Sequence, residues 1–129
     1  MKVTDIKVFN VDCFRTNWVF VKVYTDEGLT GVGEATLEYK EKSLVGAVEH
    51  IKEALIGKDP RQIEKIYHDT YRDSYWRCGP VLMSALSAVE IALWDILGKS
   101  LNAPVYQLLG GKANEKVRIY VNGWFAGAK

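Results

Sequence analysis

Val81-Leu82-Met83-Ser84-Ala85-Leu86-Ser87-Ala88-Val89-Glu90-Ile91-Ala92-Leu93-Trp94-Asp95-Ile96-Leu97 is the stretch on which the fold turns. Wound into a helix, it carries apolar residues on almost every side, with Ala85, Ala88 and Ala92 set between larger ones. A helix of that kind is buried rather than amphipathic. It is read here as the central helix against which a sheet and the other helices pack. Arg77-Cys78-Gly79-Pro80 breaks the chain just before it. Glu90, Asp95 and Lys99 are its charged residues; a buried charge needs a partner, and Asp95 to Lys99 is the i,i+4 spacing of a helical ion pair. Structural pairing is expected of them.

Upstream, Leu44, Val48, Ile51 and Leu55 are spaced four, three and four, one apolar stripe on a helix that begins near Glu38 and that Gly57 ends. Its charges, Glu38, Lys40, Glu41, Lys42, Glu49, Lys52 and Glu53, read as a solvated face. Asp59-Pro60-Arg61-Gln62 reads as the start of a second helix, with Asp59 the cap, Pro60 at the first position and Gln62 closing a capping box. The stripe of that helix is Ile63, Ile66, Tyr67, Thr70 and Tyr71.

The first third reads as strands. Val3 to Val11 and Trp18 to Thr25 are rich in β-branched and aromatic residues. Asp26-Glu27-Gly28 turns the chain back into a third strand, Leu29 to Glu34. Asp12 to Asn17, between the first two strands, reads as a polar loop. The expected fold is therefore α+β: a three-stranded antiparallel meander followed by a bundle of about three helices. Gly31-Val32-Gly33 resembles the start of a dinucleotide fingerprint but lacks its third glycine and its helix. Close strand packing is the better reading.

Beyond the central helix come a short helical piece, Val105 to Leu109, the stop Gly110-Gly111, and a charged link from Lys112 to Lys116. Val117 to Val121 then reads as one more strand, with nothing after it to cross over to. Residues 1–112 are expected to form one domain, and 113–129 a linker and the first strand of another.

The 129 residues, 48% hydrophobic and 26% charged, are enough for a packed core. A net charge of +1 with no basic run gives no reason to expect nucleic acid. No run of about 18 apolar residues suggests a membrane span. Met1 to Asp5 has no apolar signal core, so a cytoplasmic location is expected. Cys13 and Cys78 are read as reduced, half-buried residues. His50 and His68 lie on different helices, and no metal-ligand set or catalytic constellation is identifiable. The cluster Tyr71 to Arg77 suits either a carboxylate site or an interface, and the residues alone leave both open.

Taken together, Gly-Pro-Val-Leu-Met-Ser-Ala (79–85), Ala-Leu-Trp-Asp-Ile-Leu-Gly-Lys (92–99) and Ala-Pro-Val-Tyr-Gln-Leu-Leu-Gly-Gly (103–111) resemble the mandelate racemase/muconate lactonising enzyme branch of the enolase superfamily. Gly31-Val32-Gly33-Glu34 and Gly57-Lys58-Asp59-Pro60 fit the same pattern. The stretch from Tyr75 to Ala85 leans toward acid-sugar dehydratases of the galactonate type.

The resemblance implies an N-terminal capping domain followed by a (β/α)₈ barrel, which at about 250 residues does not fit in this chain. Val117 to Val121 would be the first barrel strand. In that family barrel carboxylates hold Mg²⁺, and barrel bases remove the proton α to a substrate carboxylate. None of those positions maps onto residues 1–129, so the chain alone is expected to be inactive, with no catalytic residue and no metal ligand of its own.

The cap's implied role is to cover a small sugar-acid substrate with two segments, here Asp12 to Asn17 and Ala35 to Lys40. Asn17 matches a position that contacts substrate in some mannonate-type dehydratases, where galactonate-type sequences tend to hold arginine. Arg15, Thr16, Tyr39, Trp76 and Arg77 are the further substrate-binding candidates. The alternatives are the cap of a racemase or cycloisomerase, and a stand-alone binding domain of the same fold. Phe14, Trp18, Trp124 and Phe125 are expected to expose apolar area, which favours a homo-oligomer.

Overall fold

The structure, a computed structural model, describes residues 1–13, 16–73, 75–77 and 79–120. Phe14, Arg15, Cys78, Val121, Trp124 and Phe125, which carry expectations above, lie outside the described residues. The elements are β1 (Val3–Cys13), β2 (Thr16–Thr25), β3 (Thr30–Glu34), α1 (Glu41–Leu55), α2 (Ile63–Asp73), α3 (Pro80–Ser100) and α4 (Val105–Leu108). The strands form an antiparallel sheet in the order β1-β2-β3. The α+β meander and helices read from the sequence are thus present.

Alternation explains the sheet. Ile6 pairs with Val23 and Val8 with Val21, and this face turns to the helices, with Ile6, Val19, Val21 and Val23 buried. Phe9, Val11 and Trp18 belong to the opposite face and are exposed. Gly28, at φ +82°, lets the β2–β3 turn close, and the Thr25 hydroxyl donates to the Leu29 carbonyl at 2.8 Å.

The hairpin between β1 and β2 is longer than its composition suggests. Pairing continues through Asp12 with Asn17 and Cys13 with Thr16, so these four residues, expected in a loop, belong to the strands. After Val8 every residue of β1 is at least partly exposed. At this end of the hairpin polar side chains stay hydrated while the ladder bonds continue.

α3 packs against β2, β3, α1, α2 and α4, as a central helix should. Ala88 and Ala92 let β3 approach closely: a Cβ on Gly33 would lie 2.8 Å from the Ala88 carbonyl carbon, and one on Gly31 would lie 2.9 Å from Ile96 Cγ1. The charged pair then closes the sheet edge. Asp95 Oδ2 accepts the Val32 N–H at 3.0 Å and Lys99 Nζ at 2.7 Å, while Lys99 also donates to the Thr30 carbonyl at 2.7 Å. Two backbone groups of an edge strand are thereby satisfied by one helical ion pair. Glu90 takes the Trp94 indole N–H at 3.3 Å.

Three expectations are corrected. α3 is not buried all round, because sheet and helices cover only part of it and Ile91 remains 47% exposed. It is also long and apolar enough, by length and composition, to cross a membrane, and Ala85, Leu86, Ala88, Val89, Ala92, Leu93 and Ile96 along it are buried in the core. Next, α2 begins at Ile63 rather than at Pro60. Asp59 Oδ1 accepts the Arg61 N–H at 3.0 Å, and Arg61 Nη2 meets Asp59 Oδ2 at 2.7 Å, a local turn that competes with helix capping. The Arg61 guanidinium holds the Asp59 carboxyl at about 2, below the ordinary range. Finally, Val117 to Tyr120 form no strand and are exposed, Tyr120 by 85%. β propensity is a preference for a packed, paired surface, and among the described residues no strand lies beside them.

Leu93, 1% exposed, tests the centre of the core. Leu93→Ala is expected to cost about 2–5 kcal/mol. An unchanged denaturant midpoint would refute that placement.

Candidate functional site

The far end of the β1–β2 hairpin meets the start of α1. Glu41, the first residue of that helix, accepts the Thr16 hydroxyl on Oε1 at 3.0 Å and the Asn17 N–H on the same oxygen at 3.5 Å. Its own backbone amide foremost, and then the Thr16 hydroxyl, hold the Glu41 carboxyl below its ordinary value. No side chain caps α1 from Lys40, so the first-turn carboxylate serves amides the cap leaves open.

Two further bonds tie the same segments. Val19 N–H donates to Thr36 Oγ1 at 3.1 Å, and Ala35 N–H donates to the Val19 carbonyl at 2.8 Å. Lys40 N–H donates to the Leu37 carbonyl at 3.1 Å, closing a turn in which Tyr39 sits at φ +61° with its side chain exposed. Thr16 and Asn17, two of the sequence candidates, are thus joined to the start of α1, two residues along the chain from Tyr39. Glu41, which does the joining, was read as part of a solvated helix face; nothing in its spacing signals the hairpin that reaches it.

Trp76 and Arg77 lie elsewhere. Trp76 is 81% exposed in the α2–α3 connection and meets Tyr75 edge-on, with ring centroids 5.5 Å apart. Arg77 Nη2 donates to the Arg72 carbonyl at 3.3 Å and lines a cleft of about 230 Å³ between α1, α2 and α3. Ile51, Leu82, Met83 and Leu86 form its apolar side, and His50, Lys58 and Asp69 are polar residues along it. The Thr70 hydroxyl is buried there with no partner among the described residues. The cleft starts at Ala47, nearly two turns along α1 from Glu41, or about 9 Å. Arg15 lies outside the described residues.

A divalent metal needs several convergent oxygen ligands. Among the described residues no group of three or more His, Cys, Asp or Glu could hold one. Asp5, Asp59, Asp69 and Asp95 pair instead with Lys52, Arg61, Lys65 and Lys99. These residues do not fit a Mg²⁺ site.

Comparison with known proteins places this architecture. Residues 8–110 match the family described as "Mandelate racemase / muconate lactonizing enzyme, N-terminal domain". The D-galactonate dehydratase family member RspA of Cellvibrio japonicus is 50% identical over 123 residues, which is 95% of this chain and 30% of that protein. A D-mannonate dehydratase of Caulobacter vibrioides is 50% identical over 121 residues, 93% of this chain and 30% of that protein. The crystal structure of an enolase from Pantoea ananatis with bound D-gluconate and Mg has a TM-score of 0.84 at 42% identity, covering 88% of this chain and 28% of the other. The chain therefore spans about a third of the length of the curated relatives it matches.

Proposed function

The chain belongs to the mandelate racemase/muconate lactonizing enzyme family as its N-terminal domain, and from this we propose that it is the substrate-capping domain of a Mg²⁺-dependent acid-sugar dehydratase. The observation that carries the reading is its 50% identity, over more than nine-tenths of its length, to relatives named for D-galactonate and D-mannonate dehydration. In the proposed reaction a base removes the proton α to the substrate carboxylate, and the β-hydroxyl leaves as water. The base, the metal ligands and the barrel that carries them belong, in this reading, to the part of the protein outside these 129 residues.

The task left to this chain is to bind, orient and exclude water. Asn17 offers an amide that both donates and accepts, suited to a hydroxyl or a carboxylate oxygen. Tyr39 adds an exposed phenol. Arg15 would supply a charge-assisted bond to the carboxylate. Trp76 and Arg77, which lie in the α2–α3 connection, are not needed for the capping surface.

A chimera tests the proposal. This chain would replace the matching N-terminal part of the Caulobacter D-mannonate dehydratase, and turnover of D-mannonate would be followed with Mg²⁺ present. The expected outcome is kcat/KM within about tenfold of the parent enzyme, the scale of one altered hydrogen bond. A folded, Mg²⁺-binding chimera with no turnover would overturn the reading.

A further inference from the structure

We infer that the cleft between α1, α2 and α3 is a binding site for a free α-amino acid with an apolar side chain. Arg77 receives its carboxylate, Asp73 its ammonium group, and Ile51, Leu82, Met83 and Leu86 its side chain. The inference goes beyond the capping reading and does not depend on it. The cleft begins about 9 Å along α1 from Glu41 and shares no residue with the β1–β2 hairpin.

Size and lining set the class of ligand. At about 230 Å³ the cleft is smaller than the sites of about 300–1,000 Å³ that take drug-sized molecules, yet larger than the ~150 Å³ that admits benzene. Its apolar side therefore has room for one branched or aromatic side chain. Thr70 adds a polar element to the wall, because its hydroxyl is buried there with no partner among the described residues. Buried hydroxyls are rarely left so, which marks this wall as a place that receives a polar group. Thr70 precedes Asp73 by three residues, so the two share one side of α2.

The rim carries one charge of each sign without a mate. Among the described residues Arg77 forms no ion pair, and its one hydrogen bond, to the Arg72 carbonyl, leaves most of the guanidinium fork open. The Asp73 carboxylate, four residues earlier, pairs neither with Arg77 nor with any other described cation. Opposite charges that line one cleft without meeting suit a ligand that carries both. The helix ends favour the same orientation. Asp73 stands at the carbonyl end of α2, which attracts a cation. The cleft reaches the first turn of α3 at Leu82 and Met83, the amide end, which attracts an anion and which no side chain caps from Gly79. Asp69 does not compete for the ammonium group, because Lys65 meets it at 2.9 Å and Lys58 at 3.8 Å.

Titrating the isotope-labelled chain with L-phenylalanine, followed by NMR, tests this. A saturable shift of the Thr70, Leu82 and Met83 amides is expected, with a Kd of about 1 mM, the scale for a ligand of about a dozen non-hydrogen atoms. Hydrocinnamate, which lacks the ammonium group, and phenethylamine, which lacks the carboxylate, should each bind about tenfold more weakly. Arg77→Gln should weaken L-phenylalanine about tenfold and leave phenethylamine unchanged. Asp73→Asn should weaken it likewise and leave hydrocinnamate unchanged. Both side chains are exposed, so neither variant should move Tm, and the analogues decide the matter on the parent chain alone. No saturable shift up to about 20 mM L-phenylalanine overturns the site. Equal binding of either analogue, or variants that bind L-phenylalanine as the parent does, overturns the pairing of the two charges with the ligand. A chimera without turnover would overturn the capping reading and leave this titration untouched.

Discussion

Gly33→Ala is expected to remove a large part of the chain's stability, and Gly31→Ala to do nearly the same. The added methyl of Gly33 would meet the Ala88 carbonyl oxygen far inside van der Waals contact, with the carbonyl carbon at 2.8 Å and Cα at 3.2 Å. That of Gly31 would meet the Ala92 carbonyl oxygen in the same way and Ile96 Cγ1 at 2.9 Å. These obstacles are mainly helix backbone, which cannot rotate aside as a side chain would. Overpacking a core costs about 1–3 kcal/mol where side chains can yield. Here β3 must lift from α3, which also pulls Val32 and Thr30 away from Asp95 and Lys99. A loss of about 4 kcal/mol or more is expected, against a total stability of about 5–15 kcal/mol for a domain of this size. Gly46→Ala supplies the contrast. It lies inside α1 with open space around its would-be Cβ, and alanine should gain about 1 kcal/mol there. Circular dichroism melts of the three variants measure this directly. A cooperative Gly33→Ala melt within a few degrees of the parent would show that the strand–helix approach is not as close as described.

Those glycines also show what a sequence can reveal. Gly31-Val32-Gly33 could be read as close packing because the alternative, a phosphate loop, demanded a helix directly after it. The stripe Leu44, Val48, Ile51 and Leu55 was legible because four equally apolar residues at helical spacing admit one buried face, and all four are buried. Asp95 and Lys99 were expected to pair, but that they also close the edge of β3 follows from tertiary placement alone. The hairpin end escaped for a physical reason: its described side chains are half-buried or exposed, where polarity costs a strand little, so composition imitated a loop. Tyr39 carries no local signal for positive φ, which glycine or asparagine would have given. Val117 to Tyr120 failed in the opposite direction, since a strand is a property of a pair and propensity supplies only half of it. Of the candidate site, Thr16 and Asn17 were singled out from resemblance. The carboxylate that joins them was not, because a glutamate in the first turn of a helix looks the same whether it faces water or a neighbouring strand.

The purified 129-residue chain is expected to turn over none of D-mannonate, D-galactonate or D-gluconate, and to bind Mg²⁺ no more tightly than an unrelated acidic surface. Enzymatic acceleration by a factor of a million or more requires about 8 kcal/mol of transition-state stabilisation at the least. The groups gathered at the hairpin and α1 are a hydroxyl, backbone amides and one carboxylate already engaged by them. Hydrogen bonds of this kind contribute about 1 kcal/mol each, several-fold short of the need. They also include no base free to take a carbon-bound proton, because the Glu41 carboxyl is held below its ordinary value and is a weaker base than a free carboxylate. Asp5, Asp59, Asp69 and Asp95 are spread over separate elements, each beside its own lysine or arginine, so they do not converge on a cation. Mixing the chain with each sugar acid and Mg²⁺ and following release of the dehydrated keto acid gives the kinetic half of the test; isothermal titration with Mg²⁺ gives the other. Product formed above the no-protein rate by the chain alone would place catalytic groups within these residues. A saturable Mg²⁺ site of micromolar affinity would place metal ligands within them, and turnover would make the chain an enzyme in its own right.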